Sequence, residues 1–137
     1  MAHEKFAVEV LSPEGQVWSG EAEMVSTRTA TGSIGLLANH APLLAMLDPT
    51  ELRLYESESE VIRFAQGEGY LQVGGNRALL LVEEAHPPDQ LDTSDLQDRV
   101  QRAERELESA EEDSEEERVA GRDKRRWETF LRIAEGS

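Results

Sequence analysis

Cysteine is absent from the chain, which excludes a disulfide framework and thiolate chemistry and points to a reducing compartment. Long apolar runs are absent too: the longest, such as residues 78–82, have strand length, far short of the roughly 20 apolar residues that a helical membrane span needs. Cations are scarce, with 14 Lys and Arg against 29 Asp and Glu, a formal net charge of −15 on 137 residues. Such a field repels duplex nucleic acid and anionic membrane surfaces, so neither is expected as a direct partner. Met1 lies only a few residues before the first patterned segment, so no signal or transit peptide is expected. The length suits one domain, or one domain with an appendage.

What is present falls into two parts with different periods. Phe6, Val8 and Val10 share one face of a strand, with Ala7, Glu9 and Leu11 on the other. Pro13-Glu14-Gly15 signals a turn. Val17-Trp18 and residues 22–29 read as further strands, the latter with Met24 and Ser26 on one side and Val25 and Thr27 on the other. Residues 52–55, 61–64, 70–73 and 78–82 follow as strands, with turns at Ser57-Glu58-Ser59 and Gly74-Gly75-Asn76. Short strands at this spacing predict a sandwich or barrel.

Pro87-Pro88 is a stiff boundary, and beyond it Leu96, Val100, Ala103, Leu107 and Ala110 step by four and three residues along one helical seam. Asp92, Thr93 and Ser94 are its candidate N-caps. The acidic run 111–117 is expected to hold a turn, and a second helix carries Val119, Trp127, Phe130, Leu131 and Ala134 towards the first, closed by Gly136. The sequence therefore predicts an all-β sandwich over residues 1–88 followed by a C-terminal antiparallel α-helical hairpin over 89–137. The first helix offers few large apolar residues, each worth about 1.5–3 kcal/mol when buried. Ordering each residue of the hairpin costs about 1–2 kcal/mol, so it is marginal alone and readily detached.

Residues 32–44, Gly32-Ser33-Ile34-Gly35-Leu36-Leu37-Ala38-Asn39-His40-Ala41-Pro42-Leu43-Leu44, set two glycines and a proline among aliphatics, broken by one Asn-His pair. This prescribes a bent backbone with a polar tip between apolar anchors, which suits recognition better than catalysis. Gly32-Ser33-Ile34-Gly35 is no phosphate cradle, because no lysine follows and no helix starts there. His40 has only His3 and His86 for company, without metal-ligand spacing. Glu83 and Glu84 are adjacent, so on a strand they face opposite ways and cannot flank one bond. Trp127 and Phe130 read as hairpin core, with a sharper role as interface anchors that change partners. No nucleophile–base pair, metal cluster or paired carboxylates remain, so neither an enzyme nor a cofactor is expected.

Several pieces in register carry a family resemblance: Val17-Trp18-Ser19-Gly20, Gly32-Ser33-Ile34-Gly35-Leu36-Leu37, His40-Ala41-Pro42-Leu43-Leu44, Asp48-Pro49 and Gly67-Glu68-Gly69-Tyr70-Leu71-Gln72-Val73. With the hairpin behind them they resemble the epsilon subunit of F-type ATP synthases, most closely before Pro87. The resemblance implies a non-catalytic subunit of the central stalk, at the cytoplasmic face of the bacterial membrane and peripheral to it. Its β domain would sit on the gamma subunit and the c-ring, the loop at Gly32, Ser33 and Ile34 facing the ring and the turn at Asn39, His40, Ala41 and Pro42 lying near gamma. Its hairpin would inhibit ATP hydrolysis when extended, with Arg118, Arg122, Lys124, Arg125 and Arg126 approaching an acidic segment of the catalytic subunits. The same cations have carboxylates of residues 104–117 as competing partners in the closed hairpin. Ala38-Asn39 stands where the family more often has Pro-Gly, a change that asparagine's tolerance of left-handed backbone accommodates. Ser33 stands where an acid is common, and Leu91-Asp92-Thr93-Ser94-Asp95-Leu96 puts Asp95 where ATP-binding members carry arginine, so ATP binding is not expected. The reading from another class is a free-standing β-sandwich binding module whose hairpin oligomerises.

Overall fold

The computed structural model describes residues 3–136 and divides them into two compact units, parting between Pro87 and Pro88. The first unit is all β. Its strands are β1 (Phe6–Ser12), β2 (Gly15–Ala22), β3 (Met24–Thr29), β4 (Gly32–Leu37), β5 (Leu43–Leu47), β6 (Thr50–Tyr55), β7 (Val61–Gln66), β8 (Gly69–Gly74), β9 (Arg77–Val82) and β10 (Ala85–His86). They hydrogen-bond in the order β10-β7-β6-β3-β5-β8-β9-β1-β2, with β4 on β3. β3 and β5 share the single register pair Thr29↔Leu47, so the sheet turns a corner there and closes as two layers over one core. All pairings are antiparallel except β1 with β9, which brings the first strand between β9 and β2.

Alternation fixes which side chains meet. Phe6, Val8 and Val10 of β1, Val25 of β3, Leu52 and Leu54 of β6, Leu71 and Val73 of β8 and Leu80 of β9 are buried in one cluster, as the period of two dictates. The most deeply buried polar side chain of this unit among the described residues is that of Gln66, and both ends of its amide are satisfied. Gln66 accepts from the Thr27 hydroxyl at 2.6 Å and donates to the carbonyls of Asp48 at 2.9 Å and Gly67 at 3.2 Å.

Three expectations change at this level. Residues 22–29 are not one strand: Glu23 breaks them, with Ala22 ending β2 and Met24 opening β3. Residues 32–44 are not one bent loop either. Gly32 starts β4 at φ +135°, the chain runs straight to Leu37, turns, and re-enters the sheet as β5 at Leu43. The reason is that both stretches find strand partners, which fold their backbone polar groups into ladders.

The second unit begins with a 3-10 turn at Pro88–Gln90 and continues as two helices, α1 (Thr93–Ser109) and α2 (Glu115–Ala134). Asp92 caps α1, its carboxylate accepting from the Asp95 N–H at 3.1 Å. Leu96, Val100 and Ala103 are buried along the expected seam, and Leu107 is half-buried. The acidic run does not all lie in the turn, which is the third change. Ser114 caps α2 by accepting from the Glu117 N–H, and Glu115, Glu116 and Glu117 form the first helical turn, where the helix dipole favours negative charge. Gly136 closes α2 at φ +78° with its N–H on the Ile133 carbonyl.

Candidate docking surface

β5 is apolar in both phases. Leu47 faces the core while Leu44 and Met46 face outward, 75% and 60% exposed. The ladder continues this outer face across its neighbours. Met46 pairs with Tyr70 on β8, Tyr70 with Leu81 on β9, and Leu81 with Leu11 on β1. One step along, Leu44 lies opposite Gln72, Gln72 opposite Leu79, and Leu79 opposite Glu9. Tyr70 is 54% and Leu81 43% exposed, so the row Met46–Tyr70–Leu81–Leu11 is an apolar band four strands wide. Of the five large hydrophobics that stand exposed among the described residues, three lie in this row, Leu44 stands beside it on the same face of β5, and the fifth is Leu37. Scattered apolar residues are ordinary on a surface, whereas a contiguous band marks an interaction site.

The turn that leads into the band carries Asn39, His40, Ala41 and Pro42. Asn39 adopts φ +64°, the left-handed conformation its short polar side chain tolerates. The turn is tied down from three sides. The Asn39 N–H donates to the Asn76 side-chain carbonyl at 2.7 Å, the Asn39 amide to Glu4 at 3.2 Å, and the His40 N–H to the Leu37 carbonyl at 3.2 Å. His40 Nδ1 lies 2.7 Å from the Ala41 carbonyl, an acceptor only, so that nitrogen carries the proton. Gly32, Ser33 and Ile34 lie elsewhere, at the β3–β4 hairpin. Thr29 donates from its hydroxyl to the Gly32 carbonyl at 3.1 Å, Arg28 reaches the Ser33 hydroxyl at 3.5 Å, and Ile34 packs against the core. Gly32 and Leu37 stand five strand steps apart along extended β4, roughly 16 Å, so the two groups of residues form separate ends and not one loop.

The basic residues of α2 also part company. Arg118 is ion-paired with Glu115 one turn back, and its guanidinium holds the Glu115 carboxyl below the usual carboxylate range, first through the hydrogen bond and then through charge. Arg122 reaches its neighbour Asp123 at 3.2 Å. Among the described residues Lys124 and Arg125 meet no hydrogen-bond or ion-pair partner. Arg126 differs from the rest: it is buried, 8% exposed, with its guanidinium 5.3 Å from the Trp127 ring. Among the described residues, no group of three or more His, Cys, Asp or Glu is placed to hold a metal ion. No helix of those residues is long and apolar enough to cross a membrane.

Residues 5–88, which contain the whole band and the turn, match the family described as ATP synthase, Delta/Epsilon chain, beta-sandwich domain. The chain belongs to the ATP synthase epsilon-chain family. The ATP synthase epsilon chain of Rubrobacter xylanophilus is 30% identical over 130 residues, which is 91% of this chain and 88% of that one. The one from Streptomyces avermitilis is 39% identical over 103 residues, 75% of this chain and 77% of its own. A chain of the Euglena gracilis mitochondrial ATP synthase has the same fold, with a TM-score of 0.79 at 16% identity, covering 92% of this chain and 79% of that chain.

Sequence reasoning reached the turn of this epsilon-family chain but missed Leu44, Met46, Tyr70 and Leu81. Their signal was present: Leu43 to Leu47 and Leu79 to Leu81 are apolar in consecutive positions, where a strand with one solvated face would alternate.

Proposed function

We propose that this chain is the non-catalytic central-stalk subunit of a proton-translocating F-type ATP synthase, peripheral to the cytoplasmic face of a bacterial membrane and in need of no cofactor. The observation that carries the proposal is the exposed apolar band of an epsilon-family β unit. The band and the Asn39–His40–Ala41–Pro42 turn that feeds it suit the gamma subunit, whose binding would cover Leu44, Met46, Tyr70 and Leu81. The separate β3–β4 end, with Gly32, Ser33 and Ile34, suits the c-ring, since two ends roughly 16 Å apart serve two partners at once. The hairpin restrains ATP hydrolysis through Lys124 and Arg125, whose charges meet no carboxylate partner among the described residues, assisted by Arg118 and Arg122. Arg126, being buried, belongs to the hairpin's own structure.

The experiment is reconstitution. The full chain is expected to co-purify with gamma and with the membrane fraction, and a chain that does neither is a free-standing module. In the reconstituted complex, Lys124→Glu with Arg125→Glu is expected to raise ATP hydrolysis several-fold at low salt, and the difference should shrink as salt rises. Hydrolysis unchanged by this pair, and unchanged again on removing residues 88–137, would remove the inhibitory role while leaving the coupling role. ATP itself is expected to show no heat of binding to the isolated chain in the micromolar range, because Asp95 repels phosphate where family members that bind it present arginine; a clear isotherm there would overturn this.

A further inference from the structure

The two helices of the hairpin meet through an unusually small apolar seam on the α1 side, where Leu96, Val100 and Ala103 are its buried residues. Beside that seam lies a contact of a different kind. The Arg99 guanidinium of α1 stands over the Trp127 ring of α2, 4.7 Å from its centroid. It is aimed there by Asp95, one helical turn back, whose carboxylate binds Arg99 Nε at 2.9 Å. The other helix supplies a second cation to the same indole, Arg126 at 5.3 Å, and Phe130 meets the ring edge-on at 5.8 Å. The stack forms one wall of a cleft of about 460 Å³ between the helices, open to solvent.

We infer that Asp95, Arg99 and Trp127 form a latch that holds the hairpin closed. Asp95 fixes the guanidinium plane, the guanidinium covers one indole face, and the half-buried indole is thereby shielded on that side without a large side chain from α1. Arginine suits this place because its planar, weakly hydrated head stacks on an aromatic face while still donating to a carboxylate. The Asp95–Arg99 pair is half-exposed, so salt screens it, and the latch loosens at ionic strengths that leave the Leu96–Val100–Ala103 seam unaffected. The hairpin is the element to which the proposed function assigns restraint of hydrolysis, so the latch's consequence for the enzyme rests on that reading; the closure itself does not.

The test uses the isolated full chain, and so stands whether or not the chain inhibits anything. In a Trp18→Phe background, Trp127 is the sole indole, and its acrylamide quenching and emission maximum report its cover directly. Arg99→Met keeps the aliphatic stem and removes the cation. It is expected to raise the quenching constant at least two-fold and to speed amide exchange across residues 96–107 by roughly three- to ten-fold. Asp95→Asn is expected to do part of the same, and Arg99→Lys to restore little, since an ammonium does not stack. Wild type in 0.5 M salt is expected to move towards Arg99→Met. Quenching and exchange in Arg99→Met equal to wild type would overturn the latch, as would full restoration by Arg99→Lys, which would make the contact one of simple charge. Because Arg99 is 42% exposed at its side chain, the variants keep the fold, and unchanged exchange in β8 and β9 checks that they do.

Discussion

Replacing Met46 and Tyr70 together by glutamate is expected to weaken binding of the gamma subunit by at least about 100-fold while leaving the chain folded. The two side chains are cross-strand partners in the band and two of its most exposed members, at 60% and 54% in the free chain. Interface anchors of this kind cost about 2 kcal/mol or more each when lost, and about 1.4 kcal/mol is tenfold in affinity. Two carboxylates add a penalty of their own, because docking would strip them of water beside Leu81 and Leu44 without offering a partner charge. The fold should not notice, since neither side chain reaches the core cluster and exposed substitutions usually stay within about 0.5 kcal/mol. Titration calorimetry of gamma with the full chain gives the number directly. Leu37→Glu, on β4 and off the band, is the control and should lose less than about tenfold. Affinity unchanged in the double variant, with a native circular dichroism spectrum, would take the band out of the interface and leave gamma to the His40 turn alone.

How far the sequence announces this surface depends on what kind of contact makes each part. The strands of the first unit are legible where one face is wet: Phe6, Val8 and Val10 alternate with less buried neighbours, and the structure buries those three. Asp92 and the Leu96–Val100–Ala103 seam are legible for the same reason, since a cap and a helical stripe are local patterns. β5 is not legible, because Leu43 to Leu47 are apolar on both faces and sit beside Pro42, so alternation, the usual mark of a strand, is missing. The band is less legible still. Met46, Tyr70, Leu81 and Leu11 come together only through the register of four strands far apart in sequence, and register is a tertiary property. Arg126 illustrates the opposite error. In a run of cations it reads as solvated charge, yet it is buried, as a long side chain can be when its head meets an aromatic ring. Glu115, Glu116 and Glu117 look too acidic to be helical, and are helical because they occupy the one turn where the dipole welcomes them.

Gly69→Ala is expected to be the most damaging single methyl in the β unit, lowering its stability by about 3–5 kcal/mol. Gly69 opens β8 between Leu47 of β5 and Val82 of β9. A Cβ there would fall 1.9 Å from the Leu81 carbonyl oxygen and 2.8 Å from both the Leu81 carbonyl carbon and the Val82 Cα. All three are backbone atoms, so no side chain can swing aside and the strands themselves must part. Parting them strains the pairs Gly69↔Val82 and Tyr70↔Leu81, each ladder bond worth roughly 0.5–1.5 kcal/mol, on top of about 1–3 kcal/mol for overpacking. A domain of ordinary stability has only about 5–15 kcal/mol to lose. Gly74→Ala, at the other end of β8, meets nothing within 4 Å and is expected to be neutral or to stabilise by up to about 1 kcal/mol. Urea unfolding followed by circular dichroism separates the two. The same pair also tests the surface. Tyr70 and Leu81 are the residues next to the clash, so Gly69→Ala should blunt gamma binding even under conditions where the chain remains folded, and Gly74→Ala should not. If Gly69→Ala stays within about 1 kcal/mol of wild type and binds gamma normally, β8 and β9 are free to separate, and the register that makes Met46, Tyr70 and Leu81 one surface is not what holds the partner.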